Sequence, residues 1–212
     1  MNKQTKIIGT LLGAALAAAS GVALAESTYG YSAAGTGAVS ANASVNLRVA
    51  VPKLILLRVG SQTAVDEITW TNTPSYTPRW STSPTTLVDG NNQAANWDGV
   101  APSLSITSTT NALAVYAWHN GGAAGATLTF TGTAFTPAGG PTLTNITVAD
   151  TALGTGTAIA HPGANLGTAP TPQNLTTNTL YSRTWTYTLG GTPASWAAGT
   201  YSGSVTYTAT TL

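Results

Sequence analysis

The chain has 212 residues with seven Lys and Arg, six Asp and Glu, 6% charge in all, and no cysteine. So little basic charge leaves no patch to hold phosphates and sets nucleic acid aside as a partner. No disulfide can form, so packing and backbone pairing must hold the fold without one.

Residues 1–25 read as a secretory signal. Lys3 and Lys6 form a positive start, residues 7–19 an apolar stretch, and Ala23-Leu24-Ala25 a small-residue cleavage site. The stretch is short and is followed by no stop-transfer charges, so it is expected to direct export and not to anchor the chain. No later segment is long and apolar enough to span a bilayer as a helix. Cleavage removes two lysines and leaves five basic against six acidic residues, a net charge of −1. Residues 26–38 are mostly small and polar and read as a mobile tail. The remainder is long enough for one sizeable core, expected as a single β-sandwich domain over 53–212.

Residues 39–51 alternate with unusual regularity. Val39, Ala41, Ala43, Val45, Leu47, Val49 and Val51 share one parity, while Ser40, Asn42, Ser44, Asn46 and Arg48 share the other. That is the pattern of a half-buried strand. Pro52-Lys53 stops it, so the segment 39–52 stands apart from the strand expected at 54–59. Further strands are expected at 67–71, 85–88, 103–107, 112–118, 126–131, 143–148, 157–160, 180–189 and 200–210. Thr, Val, Tyr and Trp dominate them, and Asn120-Gly121-Gly122, residues 137–141 and Gly190-Gly191 punctuate them as turns. Two stretches rich in Pro, Thr and Asn, 72–84 and 161–178, read as irregular. No helical period persists over a useful length. The fold class expected is an all-β antiparallel sandwich.

The last strand mirrors the first. Tyr201, Val205, Tyr207 and Ala209 share one parity, and Ser and Thr fill most of the other. It carries no charge and no proline, the usual devices that blunt a sheet edge. An edge left bare in this way is expected to be paired by another strand. Residues 39–51 offer one: thirteen residues span roughly 40 Å as a strand. Burying their larger side chains contributes on the order of 10 kcal/mol, as an upper estimate.

SVNLRVAVPKLILLRVGS near the start and AGTYSGSVTYTATTL at the end resemble the subunits of chaperone–usher fimbriae. The likeness is to a major subunit of the colonisation-factor-like (alternate) or archaic class. The resemblance implies an immunoglobulin-like sandwich that lacks its final strand and is completed by a donor strand from another copy. The donor would be 39–51, with Val39, Ala41, Ala43, Val45, Leu47, Val49 and Val51 facing the groove. Tyr201, Val205, Tyr207 and Ala209 would wall that groove. The implied partners are further copies of the chain, a periplasmic chaperone and an outer-membrane usher. The implied destination is a cell-surface fimbria.

Other chemistry is weakly represented. Asp89 to Asp98 (DGNNQAANWD) holds oxygen ligands but not calcium-loop spacing. Asp66-Glu67 is an adjacent pair expected to enter a strand with its side chains on opposite faces. His119 and His161 have no Cys or carboxylate at ligand spacing, and no G-x-S-x-G elbow occurs. No catalytic, cofactor or metal site is expected. Trp118 and Trp185 read as core; Trp80 and Trp97 sit in loops and could touch a sugar. Asn145-Ile146-Thr147 is a sequon. The rival reading is a self-complete secreted sandwich, matrix-forming or carbohydrate-binding, that pairs 39–51 within its own chain. A hydrolase is a more distant rival.

Overall fold

A computed structural model describes residues 28–79 and 85–212. The signal read at 1–25 and the loop tryptophan Trp80 lie outside the described residues. The chain divides into two units, Met1–Val51 and Pro52–Leu212.

In the first unit, the described residues form no strand. The Thr28 hydroxyl donates to the Asn42 carbonyl at 2.6 Å and accepts from the Asn42 amide at 2.9 Å. The alternation over 39–51 predicts a strand, yet a strand needs a partner ladder. Among the described residues, no ladder includes a residue before Ile55. Val45, Leu47 and Val49 are accordingly 81%, 90% and 86% exposed.

The second unit is all-β and antiparallel. Its described strands are β1 (Ile55–Val59), β2 (Trp70–Tyr76), β3 (Thr85–Thr86), β4 (Ser103–Ser108), β5 (Ala112–His119), β6 (Ala126–Thr136), β7 (Ile146–Ala152), β8 (Gln173–Leu175), β9 (Tyr181–Leu189) and β10 (Ser202–Thr211). They make one sheet of order β1-β5-β9-β7, a second of order β10-β6-β8, and a third of order β3-β2-β4. The first two sheets face each other across the core. Period-2 alternation sends Val115, Ala117 and His119 of β5, Trp185, Tyr187 and Leu189 of β9, and Ala126, Leu128 and Phe130 of β6 inward, all buried.

The third sheet is an insertion between β1 and β5. The Thr109 amide donates to the Thr69 carbonyl and the Thr69 amide to the Thr109 hydroxyl, tying its base, and Ile68, Trp70 and Ile106 pack on the core.

The expected strands are met at β1, β4, β5, β6, β9 and β10, with several corrections elsewhere. The strand expected at 67–71 starts at Trp70 and runs through Pro74 to Tyr76, inside a stretch read as irregular. Pro74 is accommodated because β2 pairs there only with β4, while β3 joins at Ser75 and Tyr76. Residues 157–160 form no strand beyond one bridge from Thr157 to Tyr181. Instead Ile159, His161, Pro162 and Leu166 are buried, closing the side of the sandwich between β7 and β8. β8 itself lies within the other stretch read as irregular. A 3-10 turn, Leu143–Asn145, occupies the start of the strand expected at 143–148. Trp118 is not core: it faces the outer side of β5, paired with Leu56, because His119 takes the inward phase.

Candidate functional site

On one side of the sandwich, β1 ends the first sheet and β10 ends the second. They share no ladder, although their Cα traces come within 8 Å. Lys53 Nζ spans the seam to the Leu212 carbonyl at 3.4 Å. The inward rows of both edges are apolar: Ile55, Leu57 and Val59 on β1, and Val205, Tyr207 and Ala209 on β10. All six pack on the core, yet all six are only half-buried. The opposite side is different. There Ile146 of β7 and Leu175 of β8 are each 2% exposed under the 157–167 segment. Among the described residues, the sandwich is closed on one side and open on the other.

Of the residues expected to wall a groove, the structure brings Val205, Tyr207 and Ala209 onto the inner face of β10. Tyr201 lies just before the strand, half-buried, its ring over Gly140 and its hydroxyl donating to the Ala197 carbonyl at 2.6 Å. The second wall, Ile55, Leu57 and Val59, was not singled out from sequence. Its signal was present: LILLRV is apolar on both parities, the pattern of a strand covered on both faces. Val39, Ala41, Ala43, Val45, Leu47, Val49 and Val51 all lie in the first unit, exposed and outside any ladder.

Tyr207 is anchored by a buried polar chain. Its hydroxyl lies 2.9 Å from His161 Nε2 and 2.9 Å from the Tyr187 hydroxyl. His161 Nδ1 lies 2.6 Å from the Gly163 carbonyl and 3.1 Å from the Gly163 amide; the shorter contact, to an oxygen that can only accept, favours the tautomer with its proton on Nδ1. Nε2 must then accept. The bonds run one way: Tyr187 donates to Tyr207, Tyr207 to His161, and His161 to Gly163. Phe130, Trp185 and the Tyr207 ring surround the imidazole with centroids 4.9 to 5.6 Å away. Burial lowers the His161 pKa, opposed by its bond to Gly163. Burial pushes the Tyr187 phenol up to about 12, with the bond to Tyr207 working against it. Tyr207 is raised further, first by burial and then by Tyr187. These groups stay neutral near pH 7 and lock the edge strand to the core.

The other candidate groups are committed locally. His119 is fully buried, its Nδ1 accepting from the Gly121 amide at 3.1 Å and its Nε2 donating to the Leu175 carbonyl at 3.0 Å. Asp66 accepts from the Ser61 amide at 2.5 Å, in a turn that precedes β2 and not at a strand entry. Asp98 accepts from the Val100 amide at 2.9 Å. Trp97 is 53% exposed and donates to the Val100 carbonyl at 2.6 Å. Among the described residues, no three His, Cys, Asp or Glu gather where a metal could be held. No described helix is long and apolar enough to cross a membrane. The chain matches no protein-family model, no curated protein and no solved structure.

Proposed function

We propose that this chain is a structural subunit of an extracellular fimbria that polymerises by strand exchange. Residues 39–51 of one copy complete the open side of the next. The observation that carries this reading is the pair of edges, β1 and β10, that no described residue pairs, on one side of the sandwich with six inward apolar side chains half-covered. The strand order adds support. With β2–β4 and β8 set aside, chain order β1, β5, β6, β7, β9, β10 reads as strands A to F of a seven-stranded immunoglobulin sandwich. The first sheet is ABED and the second holds F and C, so the missing neighbour of β10 is strand G.

The donor has the pattern this gap needs. Val39, Val45, Leu47, Val49 and Val51 lie on one parity, and burying them contributes on the order of 10 kcal/mol before the cost of association. A strand bonded to both edges needs about 9.6 Å between them, twice the ladder spacing. The edges approach within 8 Å, so full pairing widens the seam. Export by the N-terminal signal, a periplasmic chaperone covering the edge, an outer-membrane usher and the cell surface as destination belong to the same proposal. Catalysis has no part in it.

The test uses the mature chain from Glu26 with Leu47→Arg. Wild-type protein should give a ladder of multimers on a gel run without boiling. The variant should give monomer with an unchanged far-ultraviolet spectrum, because Leu47 is 90% exposed in the single chain. A variant that polymerises as well as wild type overturns the reading.

A further inference from the structure

We infer that the subunits also dock end to end, with the end of one body that carries Leu54 seated on the end of the next that carries Pro137 and Ala138. The inference rests on the strand-exchange reading and specifies a second contact within it.

The sandwich has two ends. The first holds the β5–β6 turn at 120–125, the start of β1 and the end of β10, with Asn120 bonded to Leu54 and Leu212 to Gly125. The second holds the end of β6, the start of β10 and the residues between β6 and β7, tied by the Ala197 amide to the Gly139 carbonyl at 2.9 Å. From Val51, the last donor residue, to Leu54 is three Cα steps, about 10 Å at full extension. A body whose residues 39–51 fill a neighbour's groove therefore has its Leu54 end against that neighbour.

The direction of the added strand decides which end it meets. The second sheet is wholly antiparallel, and a strand that continues its pattern runs antiparallel to β10. β10 runs toward the β5–β6 turn, so the donor runs the other way and leaves at the Pro137 end.

The two ends suit each other. On the first, Leu54, just before β1, is 49% exposed and Leu56, on the outer face of β1, is 54% exposed, with Trp118 beside Leu56. Their exposure accounts for the second apolar parity of LILLRV. On the other end is an apolar hollow lined by Phe135, Pro137, Ala138, Pro141 and Leu143. Residues 134–143 and 196–201 contain no charged side chain, so covering them desolvates no ion. A contact between two different ends is heterologous and does not close on itself, which yields a filament and not a ring or dimer.

The absence of cysteine makes the test clean. Leu54→Cys copies are co-assembled with Ala138→Cys copies, and separately with Ala123→Cys copies, which carry the thiol on the β5–β6 turn. Each mixture is treated with a thiol cross-linker spanning about 10 Å, boiled and run on a denaturing gel. Multimers before boiling in both mixtures, with at least five-fold more covalent dimer in the Ala138 mixture, are the expected result. Multimers with equal dimer, or more in the Ala123 mixture, overturn the end-to-end contact and leave strand exchange standing. No multimers in either mixture overturn strand exchange and this contact together.

Discussion

Replacing Tyr207 by Phe removes one oxygen from the edge strand and leaves the ring, with Trp185 at 5.1 Å and Phe130 at 6.1 Å. That oxygen accepts from Tyr187 and donates to His161, so its loss strands two buried groups: the Tyr187 O–H and His161 Nε2. Tyr187 is 5% exposed and His161 8%, so water replaces neither bond readily. At about 1–3 kcal/mol for each of two buried groups left unmet, Tyr207→Phe should cost about 2–6 kcal/mol. For a body of this size that lowers Tm by roughly 5–25 °C. Tyr187→Phe removes only the terminal donor and should cost about 1 kcal/mol. Combining them separates the chain from simple packing. With Tyr207 already Phe, the Tyr187 hydroxyl is an orphan, so removing it should cost nothing or restore stability. The assay is urea unfolding of the four members of this cycle in a Leu47→Arg background, which keeps the protein monomeric. If Tyr187→Phe costs the same in both backgrounds, the directed chain of bonds is wrong.

Two further outcomes follow from the core. His161 is held neutral by burial, with its folded pKa below the ordinary 6.5. The unfolded chain therefore takes up a proton first as pH falls. Stability from this group is full above pH 6.5 and is lost as pH drops through 6.5 toward the folded pKa. Unfolding free energies measured from pH 7.5 to 5 should decline, and His161→Gln should flatten that decline; an unchanged slope sinks the assignment. Trp185, fully buried and donating to the Ile159 carbonyl at 3.1 Å, should cost about 3–5 kcal/mol as Trp185→Ala. Trp118→Ala, on the outer face, should cost well under half of that by the same denaturant measurement.

The contrast between these two tryptophans shows where residue patterns stop informing. In β9, YSRTWTYTL alternates cleanly, and the inward phase of Trp185 and Tyr187 is legible without coordinates. In β5, ALAVYAWH is apolar on both parities, so size favours Trp118 as core while the chain places His119 there. The choice is made by partners outside the strand: Leu175, distant in sequence, and Gly121, just past the end of β5, meet the two nitrogens of His119. The same limit hid β8, a three-residue strand in Pro- and Thr-rich surroundings that exists because β6 offers it an edge. Pro74 hid β2, since its tolerance depends on which side of the strand has a neighbour. Val205, Tyr207 and Ala209 were legible as one face. That the face stays half-uncovered beside β1 is a matter of topology, which no local pattern carries.

Asn120 grips the entry to β1 from both directions. Its side chain donates to the Pro52 carbonyl at 2.9 Å and accepts from the Leu54 amide at 2.6 Å, while its own amide donates to the Leu54 carbonyl at 3.1 Å. In a filament built as proposed, tension from one subunit enters the next at this point. The grip turns the load along the axis of β1, parallel to its ladder with β5. Hydrogen bonds loaded in shear yield together, whereas those peeled from one end yield singly. A three-bond clasp at a proline would thus set the force a fibre withstands, and a weaker clasp would let it unzip under flow.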